Sequence, residues 1–151
     1  MKRHESIVPL SHDHHTGLLF CWKLRQGIRK QVPVARMLPY ISYFHAQHLA
    51  PHFMEEEQLL FADGADELCL QALKEHDDIR QALSAVGDAA RDASVMALAD
   101  MVDNHIRFEE RVLFPHLEQK LTAQQLAAIG AQLRESHQLS HTDDYEDEFW
   151  K

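Results

Sequence analysis

The chain has 151 residues, 45% hydrophobic and 26% charged, a balance suited to one compact domain with a substantial core. With 24 acidic residues against 15 basic ones the formal charge is −9, and no Lys/Arg cluster opposes it, which argues against phosphate-driven nucleic-acid binding. No apolar run approaches the roughly 18 residues that span a bilayer, and Met1-Lys2-Arg3-His4-Glu5 leads into no signal-like segment, so neither a membrane nor a secreted protein is expected.

Cys21 and Cys69 are the only thiols; they form neither a disulfide framework nor a CxxC element, and a cytoplasmic location is the expectation. Few glycines and prolines, 5 of each, point to helix rather than sheet. The anomaly is 12 histidines.

In chain order, Ser11 is the expected N-cap of a first helix from His12 to about Lys30, with His14, Leu18, Cys21, Trp22 and Leu24 at helical spacing. Val32-Pro33 stops it. A second helix runs from about Val34 to Phe61 through Pro39 and Pro51, with a bend expected near residues 47–51 because Pro51 lacks the amide that would bond to Gln47. Asp63-Gly64 reads as a turn and Asp66 as the cap of a third helix reaching about Val86, whose stripe of Cys69, Leu73, Ile79, Leu83 and Val86 includes His76. Ser94 is the expected cap of a fourth helix to about Leu117, along which Leu98, Met101, Val102, Phe108 and Val112 share a face with His105 and Glu109. Thr122 and Gln125 make a capping box for a fifth helix, Ala123 to about Ser136. An acidic tail, Asp143 to Glu148, then ends in Phe149-Trp150 and either stays solvated or lays its aromatic end on the bundle. These elements predict an all-α, up-down-up-down four-helix bundle over about residues 8–118, with the additional C-terminal helix and tail over 122–151, in a single domain.

Ionised carboxylates and histidines on core faces need compensation, which a metal supplies. The two HxxxE pairs, His52/Glu56 and His105/Glu109, each project from one helical face on successive turns and can grip one site together. With His76 and His14 facing inward on the other two helices, every helix of the bundle offers a nitrogen or oxygen ligand. A ferritin-like centre would need Glu-x-x-His motifs and a catalytic zinc an HExxH; the sequence has neither. Mixed imidazole and carboxylate suits iron, with manganese or zinc fitting less well.

Four segments in order, Leu10-Ser11-His12-Asp13-His14-His15, His52-Phe53-Met54-Glu55-Glu56, Glu75-His76-Asp77-Asp78-Ile79-Arg80 and His105-Ile106-Arg107-Phe108-Glu109-Glu110 running on to Leu113-Phe114-Pro115, resemble the hemerythrin-like (HHE cation-binding) family. The resemblance implies a left-twisted four-helix bundle holding two non-haem iron ions joined by an oxo or hydroxo bridge. His14, His52, His76 and His105 would be the terminal ligands, with Glu56 and Glu109 bridging. Members that carry oxygen reversibly have two histidines on the third helix and HxxxxD on the fourth; here Arg80 and the shorter Glu109 spacing depart from that pattern.

His48, one turn before His52, and His15, beside His14, are candidates for one further ligand. Glu55, Glu57 and Glu110 are expected to face solvent, Trp22, Phe53, Phe108 and Phe114 to pack in the core, and His4, His45, His116, His137 and His141 to lie at the surface. The leading expectation is a di-iron protein that binds or senses a small diatomic ligand, oxygen or nitric oxide, or handles iron under oxidative or nitrosative stress. A di-iron enzyme of peroxidase-like or iron–sulfur-centre repair type is the first alternative, and a structural zinc or metal-free bundle the second. The sequence shows no nucleophile–base pair that would name a reaction, and no protein partner.

Overall fold

The computed structural model describes residues 2–88, 91–137 and 143–151. Among the described residues there are five helices and no strand. Helix α1 is Val8–Arg29. Helix α2 is α-helical at Val34–Phe44 and Ala50–Glu55 and π-helical at His45–Leu49 and Glu56–Leu60. Helix α3 is Glu67–Asp88. Helix α4 joins Asp92–Phe108, a π-helical turn at Glu109–Leu113, and Phe114–Lys120. Helix α5 is Ala123–Ser136. None of these helices is long and apolar enough to cross a membrane.

Helix direction follows from which half of each helix joins which core. One apolar cluster takes Phe20 and Leu24 from the end of α1, Met37 and Phe44 from the start of α2, Ile79 and Val86 from the end of α3, and Val95 and Val102 from the start of α4. The other takes Leu10, Leu60, Ala72 and Leu113 from the opposite halves. Successive helices therefore alternate in direction, as an up-down-up-down bundle requires. Helix α5 covers the second cluster with Leu126, Ile129 and Leu133. Gly130 lets it approach, since a Cβ there would lie 3.3 Å from Ser6 Cα. The C-terminal residues close the first cluster: Phe149 and Trp150 are buried, and Gly27 makes room, a Cβ there falling 3.0 Å from the Phe149 ring.

Several local expectations need correction. Helix α1 begins at Val8 with Pro9 in its first turn, where a missing amide costs nothing; Ser11 lies inside the helix and its hydroxyl donates to the Glu110 carboxylate at 2.8 Å. Asp92 begins α4 after Arg91, so Ser94 is not its cap. Pro51 does not interrupt α2; it follows the wide turn His45–Leu49, in which the Ala50 amide reaches back to the His45 carbonyl. Trp22 and Val112 are exposed, at 47% and 44%. Asp66 does cap α3, accepting from the Leu68 and Cys69 amides, and the Thr122/Gln125 capping box is formed.

Candidate metal centre

Between the two apolar clusters lies a polar layer drawn from all four long helices. His14 comes from α1, His52 and Glu56 from α2, His76 from α3, and His105 and Glu109 from α4, and all six are buried. They fall into two overlapping groups, His14, His52, Glu56 and Glu109, and Glu56, His76, His105 and Glu109, with one donor atom per residue all within 4.8 Å of one another in each group. The two carboxylates belong to both.

His14 Nε2 and Glu109 Oε1 form a buried hydrogen bond of 2.9 Å, but the other inward atoms face one another without satisfying one another. Glu56 Oε1 lies 3.2 Å from Nε2 of both His52 and His76, and Glu109 Oε2 lies 3.3 Å from His105 Nε2. These approaches are not aligned as hydrogen bonds: Nε2 of His52, His76 and His105, both Glu56 oxygens and Glu109 Oε2 are buried with no hydrogen-bond partner. Each such atom costs about 1–3 kcal/mol. Their convergence on one point fits a positive charge placed among them, and the nitrogen and oxygen donor set suits a first-row divalent or trivalent ion.

A second ring of carboxylates fixes the imidazoles. The Nδ1 of His14 bonds to Glu110, of His52 to Asp13, of His76 to Glu57 and of His105 to Glu75, at 2.7, 2.8, 2.7 and 2.7 Å. An ionised carboxylate only accepts, so each Nδ1 carries a proton, and Nε2 is the inward atom that would offer a lone pair to a metal once any proton of its own has left. Glu57 and Glu110 are therefore not solvent-facing acids. Asp13 and Glu75 had no expected role, although each immediately precedes an inward histidine.

The two halves are related residue by residue. His52, Glu56, Glu57, Leu60 and Phe61 on α2 have the spacing of His105, Glu109, Glu110, Leu113 and Phe114 on α4. Both acids open a π-helical turn, closed by the Phe61 amide on Glu56 and the Phe114 amide on Glu109. Phe114 stacks on His14 and Phe61 lies beside His76, ring centroids 5.4 and 5.6 Å apart. Asp13-His14 on α1 likewise matches Glu75-His76 on α3. Because Phe114 bonds to Glu109 and Pro115 has no amide, the Glu110 carbonyl is left over; the Arg3 guanidinium takes it at 2.8 Å.

The Hemerythrin HHE cation binding domain matches residues 6–117 of this chain. The chain belongs to the hemerythrin HHE cation-binding family. No curated protein and no solved structure matches it.

In this hemerythrin-like chain protons and carboxylates share the site when no metal is present. Burial pushes the three imidazoles of His14, His52 and His105 down, but the carboxylates win. Glu109 and Glu110 raise His14. Glu56 and Asp13 raise His52 well above the usual range, and Glu109 with Glu75 raises His105 to about 10. Burial alone would raise Glu109, yet His105 and His14 hold it well below the usual carboxylate range.

His48 and His15 are in neither group. His48 stacks on Phe44, ring centroids 4.8 Å apart, and His15 is exposed on the outer face of α1. His137 is not a surface residue. Its side chain is 5% exposed, with Nε2 3.2 Å from Asp13 and Nδ1 2.8 Å from Glu55, so the outer ring of the hemerythrin-like site extends through Asp13 to the end of α5. His116 is half-exposed and bonds to Asp66. His141 lies outside the described residues.

Proposed function

We propose that the buried layer is a dinuclear non-haem metal centre, with iron the best-fitting ion. His14 and His52 would hold one ion, His76 and His105 the other, and Glu56 and Glu109 would bridge them. The observation that carries this is the set of inward nitrogens and oxygens with no hydrogen-bond partner, arranged as two groups that share both acids. A single zinc needs about three or four protein ligands and would leave part of this set unsatisfied.

When bound, iron supplies Lewis acidity and open coordination positions for a small ligand. Two six-coordinate ions offer about twelve positions. Four imidazoles and two bridging carboxylates take eight, so outside ligands or water have room. The chain itself orients the imidazoles through the four outer carboxylates and packs Phe114 on His14 and Phe53 and Phe61 on His76. The function this supports is binding or sensing of a small diatomic ligand, oxygen or nitric oxide, or handling of iron under oxidative or nitrosative stress, in the cytoplasm.

The test is metal analysis of protein purified without metal-affinity resin, with a visible spectrum. Two irons per chain, lost in His76→Ala, is the expected result. One zinc per chain, or full retention of metal in His76→Ala, overturns the reading.

A further inference from the structure

The two halves of the centre match in their ligands but not in the residues packed against them. Beside His76, the positions three after the α3 histidine and one after the α2 histidine are Ile79 and Phe53, and Phe53 stacks on the His76 ring with centroids 3.8 Å apart. Beside His14, the equivalent positions are Gly17 and Ile106. Gly17 leaves room for Ile106, whose Cδ1 would lie 2.7 Å from a Cβ there, so that half lacks only the aromatic ring, and a cavity of about 780 Å³ lies beside it. It reaches His14, His52 and His105, and it is walled by apolar groups including Phe44, Leu49, Phe53, Val102 and Ile106.

A diatomic gas needs about the volume of one water, roughly 30 Å³, so this cavity exceeds it by more than an order of magnitude. Its size is that of a pocket for an organic molecule. Its charge narrows the class. No lysine or arginine is among the described residues that line it, whereas Asp13, Glu55 and Glu135 do. Asp13 and Glu55 are held by His52 and His137, and Glu135 stands exposed at the rim on α5. At the exposed rim an anionic ligand would meet Glu135, with no lysine or arginine among the described lining residues to offset it.

We propose that this cavity binds an uncharged, lipophilic organic molecule and seats it against the His14/His52 half of the centre. The cavity itself stands on the packing; what the molecule faces rests on the dinuclear reading above. The asymmetry also gives the two ions different access: His14, His52 and His105 border the cavity, while His76 is covered by Phe53.

The test uses two dyes with one ring framework, N-phenyl-1-naphthylamine, which is uncharged, and its sulfonated relative 8-anilino-1-naphthalenesulfonate. Fluorescence titrations are run on metal-loaded and on chelated full-length protein, with metal content measured on the same samples. The uncharged dye is expected to saturate at one per chain and to bind at least tenfold more tightly than the sulfonate. Ile106→Phe, which copies the filled half, is expected to lower its affinity at least tenfold without loss of metal. Ala50→Trp on the cavity wall does the same if Ile106→Phe fails to fold. Glu135→Arg is expected to bring the sulfonate within a few-fold of the uncharged dye.

Absence of saturable binding to folded protein, or binding that neither filling variant weakens, overturns the proposal. Equal affinity for the two dyes overturns the charge argument. Binding that leaves the visible spectrum of the loaded centre unchanged overturns the placement against the metal. Dye binding by protein that takes up no metal pair overturns the dinuclear reading and leaves the cavity standing.

Discussion

Metal loading and protonation compete for the imidazoles of His14, His52 and His105, so the stability of the protein should respond to pH in opposite directions with and without metal. In the metal-free state Glu109 and Glu75 hold the His105 imidazolium, raising it from the usual 6.5 to about 10. A group whose folded value is raised contributes stability that is fully present below 6.5 and lost as pH climbs through about 10. For His105 the span corresponds to on the order of 5 kcal/mol, and His14 and His52 add to it in the same direction. The metal-free protein should therefore melt at progressively lower temperature between pH 6.5 and 10. In acid, Glu109 works the other way. Its depressed folded value contributes stability that is lost as pH falls through that value.

A metal reverses the first trend because Nε2 must be deprotonated to bind it. At pH 7 His105 alone must release about one proton per chain on loading, and affinity should tighten at least tenfold per pH unit from 7 to 9. Competition of Mn²⁺ or Zn²⁺ with a chromophoric chelator measures that slope. Calorimetry in two buffers of different ionisation heat counts the protons. Affinity that stays flat across this range, with no proton released at pH 7, refutes the reasoning.

Glu56→Ala and Glu109→Ala should each abolish binding of the metal pair, whereas Glu57→Ala and Glu110→Ala should weaken it about 10–100-fold by freeing the His76 and His14 rings; equal losses in all four variants, measured by metal analysis after dialysis, would contradict the inner and outer assignment. His48→Ala should keep both metals and His52→Ala should lose at least one, read from the same assay. In the tail, Lys23 Nζ is buried 2.9 Å from Asp143 and 4.1 Å from the Trp150 ring centroid. Asp143→Ala should strand that charge at a cost of about 3 kcal/mol, a fall of about 10 °C in Tm, and Lys23→Met in the same chain should recover part of it.

The helices and the inward placement of His52, Glu56, His105 and Glu109 were legible because both rest on a 3.6-residue period that a single helix carries. His52 with Glu56 and His105 with Glu109 are neighbours by spacing alone. The outer carboxylates were not legible in this way, since Glu57 on α2 finds His76 on α3 and Glu110 on α4 finds His14 on α1. Those contacts are made only when the bundle closes. A signal was nevertheless present in the twice-used spacing His-x3-Glu-Glu-x2-Leu-Phe and in the acid that precedes both His14 and His76. The misplaced residues have a local cause. A π-helical turn inserts one residue and moves the stripe on by one position, so after Glu109 the buried residue is Leu113, at 0% exposure, and not Val112. Trp22 fails for a simpler reason, since the buried face of α1 runs through Leu10, His14, Gly17, Cys21 and Leu24, and Trp22 is a further 100° round.

The same π-helical turns explain why the acids can do two jobs. In an unbroken α-helix Glu56 and Glu57 would point about 100° apart, one inward and one toward solvent. Here each Glu-Glu pair sits where the helix widens, and a phenylalanine five residues on closes the turn. Glu56 remains at the centre while Glu57 reaches His76 on the next helix, and Glu109 and Glu110 repeat the arrangement toward His14. A wide turn weakens the helix's own hydrogen bonding and, at Glu110, leaves a carbonyl that Arg3 must satisfy. Two such turns at matching positions, each opening on a fully buried carboxylate, are a cost the fold bears twice. Replacing a π-helical turn by a regular one, as deletion of Val112 would, should therefore leave α4 helical by circular dichroism while pulling Phe114 away from His14 and releasing metal.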